Sequence, residues 1–135
     1  MKYTLDQRVE RARQLRAQGY NCAQTVAMAF ADLTGIDEET TARATAGFGG
    51  GIGGMQEVCG VVSAFAFVAG MLGDASPKGK AETYRTVREI AAPFKEANGC
   101  LLCRELKGKE HPVPCDELIM QGVGILHDRY CKDEA

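Results

Sequence analysis

Residues 47–72 read GFGGGIGGMQEVCGVVSAFAFVAGML, which joins a glycine-rich segment to an apolar one. Six of the first eight residues are glycine, the residue that most readily adopts backbone conformations closed to other side chains. The apolar part, residues 57–71, carries hydrophobic side chains on nearly every side, which is typical of a buried helix. The stretch therefore predicts a glycine-rich loop followed by a central apolar helix.

Amphipathic helices are predicted on both sides of this stretch, because apolar residues recur there with a helical period. Asn21 and Asp37 are candidate N-caps, and Gly99 is a stop signal. Pro93 should kink its helix or end its regular hydrogen bonding, and Arg8 should lie off the apolar face of the first helix. The sequence thus predicts an all-α fold, a compact helical bundle of about five to six helices. The predicted helices span residues 5–17, 21–33, 37–46, 57–71, 77–98 and 114–130, with a short turn at 103–107.

Length and composition favour one domain over residues 1–135, with enough chain to bury a core without disulfides. The net charge is −2 with both signs interspersed and there is no tryptophan, so no nucleic-acid partner is expected. The first residues lack the apolar core of a secretory signal. The uncharged run from Val58 to Leu72, 15 residues, is too short to cross a bilayer, so no membrane insertion is expected. These features predict a cytoplasmic protein, whose thiols stay reduced.

Six cysteines in such a protein call for a role other than structural disulfides. Four of them fall at predicted helix starts, where free backbone N–H groups and the helix dipole favour an anion. A cysteine in that position should lose its proton more easily, and the thiolate is the form that attacks disulfides and binds metals. The alternative is that the cysteines are small buried hydrophobes. The four candidates for redox-active or metal-ligating thiols are Cys22, Cys59, Cys103 and Cys115.

The two remaining cysteines have no assigned role. Cys100 forms a CxxC pair with Cys103, but a thioredoxin-like pair requires a βαβ context that the sequence lacks. The pair could instead be half of a zinc knuckle completed by Cys115 and Cys131, although structural zinc sites usually repeat the tight spacing. Cys131 lies four residues from the end of the chain.

The glycine tract matches GxGxxG literally, yet no strand precedes it and no Lys-Ser or Lys-Thr follows it. A dinucleotide fingerprint and a P-loop are therefore excluded. What remains is a backbone that can approach a cluster, a sulfur or another helix closely. His111 and His127 lack a partner at metal or triad spacing, so surface roles are expected for them. The glycines predicted to contact a cofactor are Gly49, Gly50, Gly51, Gly53 and Gly54.

The order of these motifs resembles the C_GCAxxG_C_C family of redox-active proteins over nearly the whole chain. The matching segments are residues 21–24 (NCAQ), 49–54 (GGGIGG), 57–60 (EVCG) and the later Cys103 and Cys115. The resemblance implies that Cys22, Cys59, Cys103 and Cys115 are the four characteristic cysteines, with a redox role. A domain similar to those of this family resembles the N-terminal part of the split-Soret cytochromes. An iron–sulfur centre is therefore the analogue that the resemblance implies for this chain. The chain departs from the family at residues 61–64 (VVSA), where alanine and then glycine are usual, and it has no CxxCH haem site.

Three functions are compatible with the sequence. The first is a redox or electron-transfer protein whose four cysteines hold an iron–sulfur cluster. The second is thiol–disulfide chemistry with an attacking and a resolving cysteine, and the third is a structural zinc scaffold. Whether the protein is an enzyme and which protein is its redox partner stay open. The exposed face of the apolar helix from Val61 to Met71, if the bundle leaves it uncovered, could form a homodimer interface.

Overall fold

Eight α-helices form the part of the chain that the structure, a computed structural model, describes, residues 2–131. No β-strand occurs within these residues, which confirms the predicted all-α class. The predicted domain, 1–135, also includes Met1 and residues 132–135, which lie outside the described residues. The helices are α1 (Leu5–Ala17), α2 (Cys22–Met28), α3 (Ala31–Thr34), α4 (Glu38–Thr45), α5 (Gly60–Leu72), α6 (Lys80–Asn98), α7 (Cys103–Lys107) and α8 (Cys115–Cys131), with 3₁₀ turns at Ala46–Phe48 and Pro77–Gly79.

The helix count exceeds the five to six expected for two local reasons. The helix predicted over residues 21–33 is interrupted at Phe30, whose φ of −112° and ψ of 17° lie outside the helical region. The short turn predicted at residues 103–107 closes into a regular helix, α7. The apolar helix α5 begins at Gly60, three residues later than predicted.

Local signals set the ends of several helices as predicted. The Asn21 side chain accepts a hydrogen bond from the N–H of Gln24 at 2.9 Å, and Asp37 caps α4 through the N–H of Thr40 at 3.0 Å. Gly99 ends α6 in the left-handed conformation, with φ 83°. The helix continues across Pro93, so the proline does not end it as it could have done.

The core of the bundle is built around α5, which packs against α2, α3, α6 and α8. Val61, Phe65 and Val68 of this helix are fully buried, and the Phe65 ring meets Phe94 of α6 edge-on at 5.8 Å between centroids. None of the helices within residues 2–131 is both long and apolar enough to span a bilayer. Packing of one apolar helix against four others fixes where the start of α5 lies.

The buried position of Arg8 differs from its predicted place off the apolar face of α1. Its side chain is fully buried, and its guanidinium donates to Asp32 Oδ2 at 2.8 Å and to the carbonyl of Ala29 at 2.6 Å. It also donates to Nδ1 of His127 at 3.0 Å and lies 4.3 Å from the centre of the Phe30 ring. A buried charge is tolerated only when it is paired and hydrogen-bonded, and these contacts meet that need.

Arg8 contacts two further polar side chains, His127 and Asp32. His127 is 4% exposed, which corrects the surface role expected for it. Burial alone would oppose ionisation of Asp32, but the Arg8 guanidinium and the N–H of Tyr3 hold the pKa of that carboxyl below its usual value. The resulting cluster ties α1 to α3 and α8.

Candidate functional site

The starts of α2, α5, α7 and α8 surround one cavity of about 140 Å³. Cysteines open three of these helices, and a fourth cysteine directly precedes α5. The helix-start positions predicted for these cysteines are therefore confirmed. The cysteines that line the cavity are Cys22, Cys59, Cys103 and Cys115.

An antiparallel bridge between Val58 and Leu102 brings two of the four cysteines together. The Cys59 N–H donates to the carbonyl of Leu101 at 2.8 Å, and the Cys103 N–H donates to the carbonyl of Glu57 at 2.6 Å. Both hydrogen bonds use N–H groups at the start of a helix, which have no partner within that helix. The bridge thus seats the starts of α5 and α7 on the same cavity.

Gly60 allows the start of α2 to pack directly on the start of α5. A Cβ atom added to Gly60 would lie 2.4 Å from Cys22 Sγ, closer than real contacts allow, and 3.2 Å from the backbone N of Ala23, which is tighter than most. The Cys22 thiol therefore occupies the space that a side chain at position 60 would need. This contact places Cys22 next to Cys59 in space.

The glycine tract contributes unequally to the cavity. Gly50 lines it, and Gly51 approaches Cys103 so closely that an added Cβ would lie 2.8 Å from the Cys103 Cβ. Gly51 also has a φ of 73°, which other residues rarely adopt. Gly49 packs against the Asn21 side chain, whereas a Cβ atom added to Gly53 or Gly54 would have no neighbour within 4 Å. The cofactor contacts predicted for the five glycines stay a prediction.

Two basic residues that sequence reasoning did not single out line the same cavity, Arg16 and Lys107. The Arg16 guanidinium donates to Asp116 Oδ1 at 2.8 Å and to the carbonyl of Tyr20 at 3.0 Å. It therefore spans from the segment before Cys22 to the residue after Cys115. No local motif marks either residue, because their place depends on how the helices pack.

The protonation of the two buried thiols differs from the expectation drawn from helix starts. The pKa of Cys59 is raised from 9.0 to about 11, chiefly by burial and to a smaller extent by the neighbouring Cys22 and Cys103 thiols, while the N–H groups of Val61 and Val62 act in the opposite direction. A helix start contributes about 0.3–1 kcal/mol toward the anion. A rise in pKa from 9.0 to about 11 corresponds to about 2.7 kcal/mol in favour of the protonated thiol. The effect of burial therefore outweighs that of the helix start.

Cys103 shows the same balance. Burial raises the pKa of its thiol, and the neighbouring Cys115 and Cys22 thiols raise it further. Lys107 acts in the opposite direction without reversing the shift. The expected easier loss of a proton is therefore wrong for Cys59 and Cys103.

The other two cysteines lie away from the cavity. Cys100 is half-buried with its Sγ 3.8 Å from the carbonyl of Asn98, and Cys131 is buried with its Sγ 3.9 Å from Arg8. All six cysteines are free thiols. Within residues 2–131 no three His, Cys, Asp or Glu side chains are grouped so as to hold a metal ion.

A helical bundle with four cysteines from four segments around one cavity defines a small cysteine-centred protein. A family model described as "Putative redox-active protein (C_GCAxxG_C_C)" matches residues 20–129. The chain belongs to this family, as its motifs suggested. No curated protein and no solved structure matches the chain.

The raised pKa of Cys59 predicts a loss of stability in alkali. The folded state holds the Cys59 proton more tightly than the unfolded chain, so the stabilisation is complete below the ordinary value of 9.0 and is lost as the pH rises toward about 11. Between these limits this thiol should account for a loss of about 2–3 kcal/mol in the free energy of unfolding of the reduced, metal-free protein.

Urea denaturation of wild type and Cys59→Ala across this pH range measures the contribution of this thiol as the difference between the two profiles. Cys100→Ala, at a half-buried thiol outside the cavity, should keep the wild-type profile. Parallel profiles for wild type and Cys59→Ala would contradict the assignment.

Gly60→Ala should destabilise the protein by about 1–3 kcal/mol, because the added methyl group overlaps Cys22 Sγ and forces α2 and α5 apart. Gly70→Ala, in the same helix with nothing within 4 Å, is the matched control and should stabilise by about 0.5–1 kcal/mol. Chemical denaturation compares the two variants. Equal stability would show that position 60 does not pack on Cys22.

Proposed function

We propose that this protein is a one-electron carrier in which Cys22, Cys59, Cys103 and Cys115 hold an iron–sulfur cluster. The observation that carries the proposal is that these four cysteines, from four separate segments, line one cavity. The other two cysteines lie outside it, so the selection is not a general property of the thiols in this chain. Membership of a redox-active family agrees with this assignment.

The size of the cavity favours a cluster over a single ion. A tetrahedral zinc ion binds sulfur at about 2.3 Å, which requires thiols in near contact with one another. The cavity of about 140 Å³ is roughly ten times the volume that one water needs. The four thiols therefore suit an occupant larger than one ion.

The surroundings of the thiols suit an anionic metal–thiolate group. The Gly51 backbone lies against Cys103 with no intervening side chain, and backbone amides near sulfur are one way in which proteins tune such centres. Lys107 supplies positive charge at the cavity wall, whereas the charge of Arg16 is paired with Asp116. A bound cluster would supply the one-electron couple, while the buried Cys59 and Cys103 shield it from water.

The raised pKa of Cys59 and Cys103 bears on loading of the centre. A cysteine binds metal as the thiolate, so loading must remove the proton from both buried thiols. Positive charge from the incoming metal and from Lys107 opposes the effect of burial. Loading therefore releases protons and should become easier as the pH rises.

Thiol–disulfide exchange is the second candidate. Cys22 is half-buried at the cavity, and it lies beside the buried Cys59, whose pKa it helps to raise. An accessible thiol next to a protected one is the arrangement of an attacking and a resolving cysteine. In this function a disulfide of another protein would be the oxidant. Two cavity thiols would form an intramolecular disulfide, and the disulfide of the other protein would be reduced to two thiols.

The cellular setting follows from the same chemistry. Six free thiols are stable in the cytoplasm, which we propose as the location of the protein. Its partner in electron transfer would be another redox protein and not a nucleic acid. Because Val61, Phe65 and Val68 are buried in the core, a homodimer through α5 would use the exposed end of the Val61–Met71 face, at Met71.

Anaerobic purification followed by an absorption spectrum and analysis of iron, acid-labile sulfide and zinc tests the proposal. Wild type should contain iron and sulfide and absorb in the visible range. The Ser variants of Cys22, Cys59, Cys103 and Cys115 should lose most of both, whereas Cys100→Ser and Cys131→Ser, as matched controls, should retain them.

Each alternative gives a different result in the same experiment. Zinc without iron would indicate a structural scaffold. Metal-free protein that forms one disulfide between cavity cysteines on mild oxidation would favour exchange. Equal iron content in all six Ser variants would contradict a centre at this cavity.

A further inference from the structure

We infer that Asn21 is a positioning residue of the four-cysteine centre, whose amide group holds the glycine tract against the start of α2 and so closes the cavity over Cys22. The inference rests on the proposed function for its importance, but the contacts that support it do not involve a cofactor. Asn21 itself lines the cavity next to Cys22.

The two ends of the Asn21 amide bind different segments. Its Oδ1 accepts a hydrogen bond from the N–H of Gln24 at 2.9 Å, which caps α2. Its Nδ2 donates to the carbonyl of Ala46 at 3.0 Å, beyond the end of α4. The Gln24 side chain supports the same connection, because it accepts from the Asn21 N–H and donates to the carbonyl of Ala42, both at 3.0 Å.

The Ala46 carbonyl lies where the chain enters the glycine tract. The 3₁₀ turn Ala46–Phe48 leads directly to Gly49, and a Cβ added there would lie 2.5 Å from Asn21 Cγ. The next residue, Gly50, lines the cavity. Movement of the tract away from Asn21 would therefore uncover the cavity at Gly50.

Helix capping alone does not require asparagine at this position. Serine and aspartate cap helices about as well as asparagine does, since all three offer an oxygen acceptor. The Asn21 amide carries its acceptor and its donor on two separate atoms, Oδ1 and Nδ2, which contact two different segments. Serine has a single oxygen for both tasks, and ionised aspartate has no donor. The capping of α2 and the attachment of the glycine tract can therefore be separated by substitution.

Asn21→Ser keeps a neutral cap on α2 and removes the Nδ2 group that donates to the Ala46 carbonyl. In reduced, metal-free protein, the rate of alkylation of each cysteine can be followed by mass spectrometry as a function of pH. On the plateau of the Cys22 profile, where ionisation no longer limits the rate, Cys22 should react about fivefold faster than in wild type. This is the change in local opening expected from loss of one hydrogen bond.

Asp37→Ser is the control for a serine substituted at an N-cap, because it changes the cap of α4 at an exposed residue that does not line the cavity. Its plateau rate at Cys22 should equal that of wild type. Equal rates in Asn21→Ser and Asp37→Ser would overturn the inference.

Should Asn21→Ser fail to fold, Asn21→Asp answers the same question. It retains the size of the side chain and the cap while replacing the donor to Ala46 by an acceptor. Its negative charge shifts the midpoint of the pH profile, whereas the plateau still reports access, so a wild-type plateau would overturn the inference. These rates need no cluster, and failure of the proposed function appears separately as absence of iron and sulfide from wild type.

Discussion

The backbone bridge between Val58 and Leu102 is the interaction on which the rest of the site depends. It joins the segment that follows the glycine tract to the segment that follows α6, and these two segments are distant in sequence. Through it the N–H groups of Cys59 and Cys103 find carbonyl partners. Because α5 packs against α2 and α8 in the core, Cys59 and Cys103 share a cavity with the starts of those two helices, where the other two thiols lie.

Burial and charge act in opposite directions on this group of thiols. Helix starts and Lys107 favour thiolates, but desolvation of Cys59 and Cys103 outweighs them and keeps both protonated in the metal-free protein. The same burial therefore makes these thiols costly to ionise. A bound metal would supply positive charge that offsets this cost, so the raised pKa values agree with the proposed cluster.

The sequence predicted what is encoded locally. The all-α class, the cap at Asn21 and the helix-start positions of the four cysteines needed only neighbouring residues. The neighbouring residues did not predict the break at Phe30 or the burial of Arg8. Burial of the Arg8 charge depends on its ion pair with Asp32, which is distant in sequence. The pKa of Cys59 likewise depends on its depth in the folded protein, which no spacing of residues specifies.

X-ray absorption at the iron edge of the anaerobically purified wild-type protein is the most direct test of a shared four-cysteine centre. A cluster held by these thiols predicts iron surrounded by sulfur alone, with a second iron close by. Iron bound by oxygen and nitrogen, or no bound iron at all, would contradict the cluster that the cavity between Cys22, Cys59, Cys103 and Cys115 supports.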